Sequence, residues 1–318
     1  MSDLHVREAG PADADDVRAV IHAAFEVRPR LDPPSNALEE TTESVREILR
    51  DAGGLVCFAD GVAAGAMLFA DVGAALGFRR VSVVPGQQGR GVASALVDAG
   101  ERVAAARRYD DVSLLARAEL PATMTFWSHR GYAEISRDGT SVTMGKALPV
   151  QVRAATPEAT YDLGCRIATL VRRGDVVILT GDLGAGKTML TRGIGACLRV
   201  RGEVTSPTFV ISRVHPSLVA GPPLVHVDAY RLGDGAELDD MDLDASVEDS
   251  VTVVEWGEGL AEALSPNRLH VHLERRPGTA APDLDADEVR AIGVTPVGAR
   301  WVGSRVRSTL ADEPAHGA

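Results

Sequence analysis

The chain has 318 residues, 45% of them hydrophobic, with 45 acidic against 33 basic side chains and a formal net charge of −12. At roughly 100 to 200 residues per domain this length predicts two domains, and the acidic balance excludes a protein that grips nucleic acid by its own electrostatics, since phosphate contacts need a basic face. Residues up to Leu148 carry 16 basic and 21 acidic side chains and the remainder 17 and 24, so neither half hides a basic surface.

Of the 33 basic residues only Lys146 and Lys187 are lysines. A compact ammonium does a different job from a planar guanidinium, so each lysine asks for a reason. Cys57, Cys165 and Cys197 are widely spaced, odd in number and without zinc spacing, which predicts buried reduced thiols rather than a disulfide framework. The N-terminus lacks a basic segment followed by an apolar stretch, so no secretory leader is expected. The apolar run Gly61 to Gly77 is Ala/Gly-rich and broken by Asp71, too weak for a membrane span. A cytoplasmic protein with no membrane partner is the expectation.

In chain order, VREAGPADADDVRAVIHAAF reads as a short strand, a polar cap and an amphipathic helix, and VRAATPEATYDLGCRIATLV from Val152 reads the same way. Two openings place a boundary near Leu148 to Gln151, giving domains 1–148 and 151–310 and a disordered polar tail 311–318. Arg28 to Asn36 is a loop by its prolines. After the apolar stretch Val81 to Val84, the run Pro85-Gly86-Gln87-Gln88-Gly89-Arg90-Gly91 leads into a helix from Val92. A glycine-rich turn that opens a helix gathers backbone N–H groups at the positive end of the helix dipole, a place for a nucleotide or coenzyme A pyrophosphate.

Gln88-x-x-Gly91-x-Ala93, with Phe126-Trp127-Ser128-His129-Arg130-Gly131-Tyr132 further on, resembles the GCN5-related N-acetyltransferase (GNAT) family over about residues 3–146. The resemblance implies a mixed, largely antiparallel sheet flanked by helices, and acetyl-CoA held by Val83, Gln88, Gly89, Arg90, Gly91, Val92 and Ala93. The chain departs from the family at two catalytic positions. Trp127 stands where many members have a proton-donating Tyr, and a frequent basic Glu would fall near Gly77. Glu119 and His129 are the substitute bases to consider, each set against an ordinary solvent-exposed role. A domain that binds acyl-CoA without turnover is the alternative.

In the second half, the apolar run Val176 to Thr180 enters Gly181-Asp182-Leu183-Gly184-Ala185-Gly186-Lys187-Thr188 and then a helix. This is a phosphate-binding loop in its strand, loop, helix setting. Loop N–H groups would surround phosphates, Lys187 would reach the β and γ phosphates, and Thr188 would ligate Mg²⁺. One of the two lysines thereby has its reason; Lys146 is expected to be an ordinary exposed residue. Mg²⁺ wants a carboxylate, and Asp228 and Glu255 each follow an apolar strand. Carboxyl ends of parallel strands share the nucleotide edge.

GDLGAGKT, SPTF (206–209), HVDAYRL (226–232), the acidic 237–241 stretch and VVEWGE (253–258) occur in the order and spacing of the TsaE family. The resemblance implies a P-loop NTPase domain with a mainly parallel sheet, an ATPase subunit of tRNA N6-threonylcarbamoyladenosine (t6A) biosynthesis. It implies TsaB and TsaD as partners, and tRNA reached only through them. It also implies ATP contacts from Asp182, Leu183, Gly184, Ala185, Gly186, Lys187, Thr188, Met189, Thr160 and Trp256. The metal would lie on Thr188, Asp228 and Glu255, with Lys187, Asp228 and Glu255 catalytic. Residues 205–208 would form a loop sensing the γ-phosphate, and Glu158 to Thr160 would lie near the base or simply cap a helix. His226 is expected to pack within a strand, and His270 and His272 to share a solvated strand face. The rival reading is a small-molecule kinase, which uses the same loop but needs an arginine lid and an acceptor pocket.

Overall fold

In a computed structural model the described residues are 4–29, 31–207, 210–231, 247–275 and 289–311, and they form two compact units, Met1–Leu148 and Pro149–Ala318. The first unit runs β1 (Leu4–Ala9), α1 (Ala14–Glu26), α2 (Thr42–Asp51), β2 (Gly54–Ala59), β3 (Val62–Val72), β4 (Ala75–Val83), α3 (Val92–Ala106), β5 (Asp111–Arg117), α4 (Pro121–His129), β6 (Ala133–Asp138) and β7 (Ser141–Ala147). Its sheet has the order β1-β2-β3-β4-β5-β7-β6, antiparallel except for β4 beside β5. Strand residues alternate between faces. On β3, Met67 and Phe69 join the core under α3, while Ala66 and Leu68 join the core under α1 and α2. α1 closes its side with Val17, Val20, Ile21 and Ala24, one helical stripe.

Strands β4 and β5 pair only over Ala75–Phe78 and Asp111–Leu114, although they continue to Val83 and Arg117, so the sheet splits at its centre. A bulge sits at the split. The β3 register slips between Ala66 and Leu68, and Arg80 takes φ 53°, a left-handed conformation that costs a non-glycine residue energy and re-aims its side chain.

The second unit runs β8 (Val150–Ala154), α5 (Pro157–Ala168), β9 (Val176–Thr180), α6 (Lys187–Cys197), β10 (Ser212–His215), β11 (Leu224–Asp228), β12 (Val251–Glu255), β13 (Arg268–Arg275), β14 (Arg290–Val297) and α7 (Val306–Leu310). The sheet order is β10-β11-β12-β9-β13-β14-β8. Its four central strands, β11, β12, β9 and β13, are parallel, whereas β10, β14 and β8 pair antiparallel, so the sheet is mixed around a parallel centre. Val176 to Leu179 are completely buried, as a central parallel strand requires.

α5 begins on Thr156, whose Oγ1 accepts the Ala159 N–H, with Pro157 at the first helical position. Such a cap stabilises by about 1 kcal/mol. Thr156, rather than residues 158–160, therefore does the capping. α5 lies directly on α6: a Cβ on Gly193 would come 2.0 Å from the Tyr161 carbonyl, and one on Gly164 would come 2.2 Å from that of Leu190. This close approach brings the neighbouring Cys165 to Cys197, and the two form a disulfide with Cα atoms 5.2 Å apart. The expectation of three reduced thiols is corrected on this point, for a 32-residue separation in sequence says nothing of helix contact. Cys57 is free and buried. No helix among the described residues is long and apolar enough to cross a membrane.

Candidate functional site

At the carboxyl ends of the central strands the second unit gathers the chemistry-bearing residues. β9 ends in the loop 181–186, and α6 starts on Gly186, at φ 109°, with no side chain capping its first-turn N–H groups. A side chain on Gly186 would be strained by that φ and would press on Thr160 and Arg290 at 3.4 Å. The open donors at a helix start make an anion site. Asp182, Leu183 and Gly184 form the exposed tip of the loop and Ala185 is buried beneath it.

Lys187 is only 5% exposed. Its Nζ donates to the carbonyls of Gly181 at 2.7 Å and Asp182 at 2.9 Å and stands 3.7 Å from the Trp256 ring centroid. Burial pushes the ammonium below the usual lysine range, opposed by the carboxylates of Glu255, Asp228 and Asp182. Trp256 itself takes φ 61°, held by its N–H to the Leu179 carbonyl, and its ring meets Tyr230 at 5.1 Å.

Asp228 and Glu255 lie opposite each other in the β11–β12 register and both are buried. Glu255 accepts the Thr188 hydroxyl, 2.9 and 3.2 Å from its two oxygens, and faces Nε2 of the fully buried His226 at 2.9 Å. The contact is a hydrogen bond in the tautomer that places the ring proton on Nε2, since the ring N–H donates and the carboxylate oxygen accepts. Asp228 accepts the Ser206 hydroxyl and the Tyr230 N–H, each at 3.1 Å. Thr160 is buried beside Gly186, and Met189 lines a cavity of about 520 Å³ between α5 and α6 with Glu158, Tyr161, Arg192 and Val204. Thr208, Phe209, Leu232 and the 237–241 stretch lie outside the described residues. Two contributors escaped the sequence reading: His226, taken as mere packing, and Arg290 of β14, whose Nε donates to the Ala185 carbonyl. Arg290 is more than a hundred residues from the loop, so no local signal marks it.

His270, half-buried, and His272, exposed, share the open face of β13 as expected, and each also makes a side-chain contact. His270 Nε2 accepts from Arg268, while His272 Nδ1 lies 3.0 Å from the Thr180 hydroxyl. Among the described residues no group of three or more His, Cys, Asp or Glu side chains is arranged to hold a metal. The oxygen set of Thr188, Glu255 and Asp228 nevertheless suits Mg²⁺, which takes one or two carboxylates plus phosphate.

In the first unit the turn after β4 opens α3 at Gly91, φ 86°, again without a side-chain cap. Gln88 and Gly89 are exposed, whereas Arg90 pairs with Asp60 at 2.7 Å and with Gln87. Val92 is a core residue, leaving only its backbone available. Val83 ends β4 and Ala93 lies in the first turn of α3. Glu119 is gripped by Arg117; burial pushes its carboxyl up, but hydrogen bonds from Arg117, the Asp32 N–H and Thr140 outweigh this and hold it below the usual range. His129 is exposed at the end of α4. Trp127 is buried against Phe126 and Tyr132. Lys146 departs from its expected role as an ordinary exposed residue: its Nζ clasps both Glu101 oxygens at 2.8 and 2.9 Å, and Glu101 also takes the Tyr132 hydroxyl.

The family model "Threonylcarbamoyl adenosine biosynthesis protein TsaE" matches residues 154–281, and the acetyltransferase (GNAT) family model matches residues 19–132. The tRNA threonylcarbamoyladenosine biosynthesis protein TsaE of Streptomyces coelicolor is 59% identical over 146 residues, 46% of this chain and 95% of the relative. The TsaE of Bacillus subtilis is 36% identical over 150 residues, 47% of this chain and 87% of the relative. Among solved structures, PaiA N-acetyltransferase from Thermoplasma acidophilum in complex with coenzyme A is similar, with 15% identity, a TM-score of 0.41, and coverage of 46% of this chain and 99% of that one. A relative matched across almost its whole length at this identity decides the matter: through its C-terminal half the chain belongs to the TsaE family, and a segment matching the GNAT family precedes that half.

Proposed function

We propose that residues 151–310 hydrolyse ATP in support of t6A biosynthesis, with TsaB and TsaD as partners, and that residues 1–148 use acetyl-CoA to acetylate an amine. The observation that carries the first reading is the Thr188–Glu255 hydrogen bond at an uncapped helix start, with buried Lys187 above it. Loop N–H groups bind the phosphates, and Lys187 exchanges its two loop carbonyls for phosphate oxygens. Thr188, Glu255 and Asp228 would hold Mg²⁺, which would neutralise charge on the β and γ phosphates. His226 fixes the Glu255 carboxylate. Asp228, tied to Ser206 in the loop that follows α6, or Glu255 would position the water whose oxygen attacks the γ-phosphorus as the bond to the departing ADP oxygen breaks. The acidic surface leaves tRNA to a partner, and the setting is the cytoplasm. Phosphate release by the full chain with and without TsaB and TsaD tests this reading. Stimulation by the pair supports it, and transfer of phosphate to a small acceptor in place of release overturns it in favour of a kinase.

The acetyltransferase reading rests on the split between β4 and β5, which leads from the uncapped turn at Gly91. The N–H groups of that turn would hold the pyrophosphate, and the split would receive the thioester arm. A non-catalytic acyl-CoA sensor is favoured by one feature: Trp127 offers no titratable proton, and the neighbouring Tyr132 hydroxyl, pushed well up by burial and by Glu101, is committed to Glu101. Thiol release from acetyl-CoA over a panel of amines separates the two, since a sensor binds without turnover.

A further inference from the structure

We propose that the acceptor of the first unit is an amine that also bears a carboxylate, and that Arg28 receives this carboxylate; the inference rests on the acetyltransferase reading. α3, with the anion-binding turn, lies on one face of the sheet, and α1 and α2 lie on the other, as the alternating cores of β2 and β3 require. An acyl group entering from the turn through the split therefore emerges on the α1–α2 face. There the segment joining α1 to α2 spans both arms of the split. On the β4 side, Arg28 donates to the Val81 carbonyl at 3.3 Å and Arg80 binds Glu40 and Asn36. On the β5 side, Arg117 donates to the carbonyls of Asp32 and Pro33, and Glu119 takes the Asp32 N–H.

Two of the three arginines named at this mouth have a carboxylate partner. Arg80 is matched by Glu40 at 3.0 Å and Arg117 by Glu119 at 2.7 Å. Among the described residues no carboxylate pairs with Arg28, whose guanidinium lies 3.7 Å from the Phe25 ring centroid and bonds a neutral carbonyl. Burial and the neighbouring Arg80 push it below the usual arginine range. A half-buried cation beside a second cation is costly unless an anion arrives, and the planar guanidinium matches a carboxylate with two parallel hydrogen bonds. Leu115, exposed on the same face of β5, offers an apolar wall for the body of such an acceptor.

The test uses the full chain with acetyl-CoA and matched amines: L-alanine against L-alaninamide, L-glutamate against L-glutamine, and an amide-capped Ala-Glu-Ala peptide against Ala-Gln-Ala. The expected result is a KM about tenfold or more lower for the carboxylate member of at least one pair. The substitution Arg28→Gln erases this preference while calorimetric acetyl-CoA affinity stays unchanged. The pair that responds tells whether the carboxylate belongs to a free amino acid or to a peptide side chain. Retained preference in R28Q, or no preference in the parent, overturns the proposal. If no amine is turned over, binding of the same probes to the acetyl-CoA-loaded protein decides. Binding of the carboxylate probes that R28Q loses retains the anion site and discards the acetyltransferase reading; absence of binding discards both.

Discussion

The imidazole Nε2 of His226 stands 2.9 Å from Oε1 of Glu255, the same carboxylate that accepts the Thr188 hydroxyl. The two residues face each other across adjacent parallel strands in a place without solvent access, so the histidine is what orients the acid beside the phosphate loop. Removing such an outer partner costs about 10 to 100-fold in comparable sites. His226→Leu is expected to lower the ATP turnover rate by that factor and to destabilise the unit by about 1 to 3 kcal/mol, because a buried carboxylate loses one of its two side-chain donors and keeps only the Thr188 hydroxyl. His226→Gln should recover part of both. Phosphate release and denaturant titration measure the two effects.

Lys187→Ala is expected to abolish calorimetric ATP binding, and unchanged affinity would sink the assignment of the loop. Thr188→Ala removes one hydroxyl from the oxygen set at the helix start. It should weaken binding of ATP with Mg²⁺ by about 1.5 to 3 kcal/mol, yet leave binding measured in excess chelator nearly unchanged. An equal loss under both conditions would place Thr188 outside the metal shell.

The Cys165–Cys197 bridge closes a 32-residue loop, which by the chain-entropy relation stabilises by about 3 to 4 kcal/mol. Alkylation of the denatured, unreduced protein should label one cysteine and, after reduction, three. Reduction should lower the thermal midpoint of the second unit. Labelling of all three without reductant would show the thiols free.

His215 and His270 set an acid limit on the second unit. Burial is the main cause that pushes each below its usual value near 6.5; a hydrogen bond from the His215 ring to the Arg201 carbonyl opposes it there, and Arg268 adds to it at His270. The native state then binds fewer protons than the unfolded chain between those lowered values and about 6.5. Stability is therefore full above about pH 6.5 and falls as the pH drops through that window. Thermal midpoints at pH 7.5 and 5.5 should diverge in the parent and diverge less in a His215→Asn, His270→Asn double variant.

Gly193→Ala is expected to force α5 and α6 apart, since the new methyl group would sit 2.0 Å from the Tyr161 carbonyl oxygen. Overpacking of this kind costs about 1 to 3 kcal/mol or more, readable as a lower denaturation midpoint. A neutral change would mean the helices slide freely, and the disulfide would then be the tighter constraint.

Local chemistry wrote much of this protein into the chain. A glycine-rich turn entered from a strand and leading into a helix has few conformations open to it, so the loop 181–188 and the turn 85–91 are readable where they stand, as are the acids that end apolar strands. Contacts between distant segments are not readable that way, because nothing in 32 residues of intervening sequence tells whether two helices will touch. Only the packed structure joins Cys165 to Cys197, sets His226 behind Glu255, lays Arg290 over the phosphate loop and makes Lys146 a partner of Glu101. The tertiary structure likewise decides that Arg28 has no carboxylate partner among the described residues while Arg80 beside it does, since that depends on which acids the fold brings within reach.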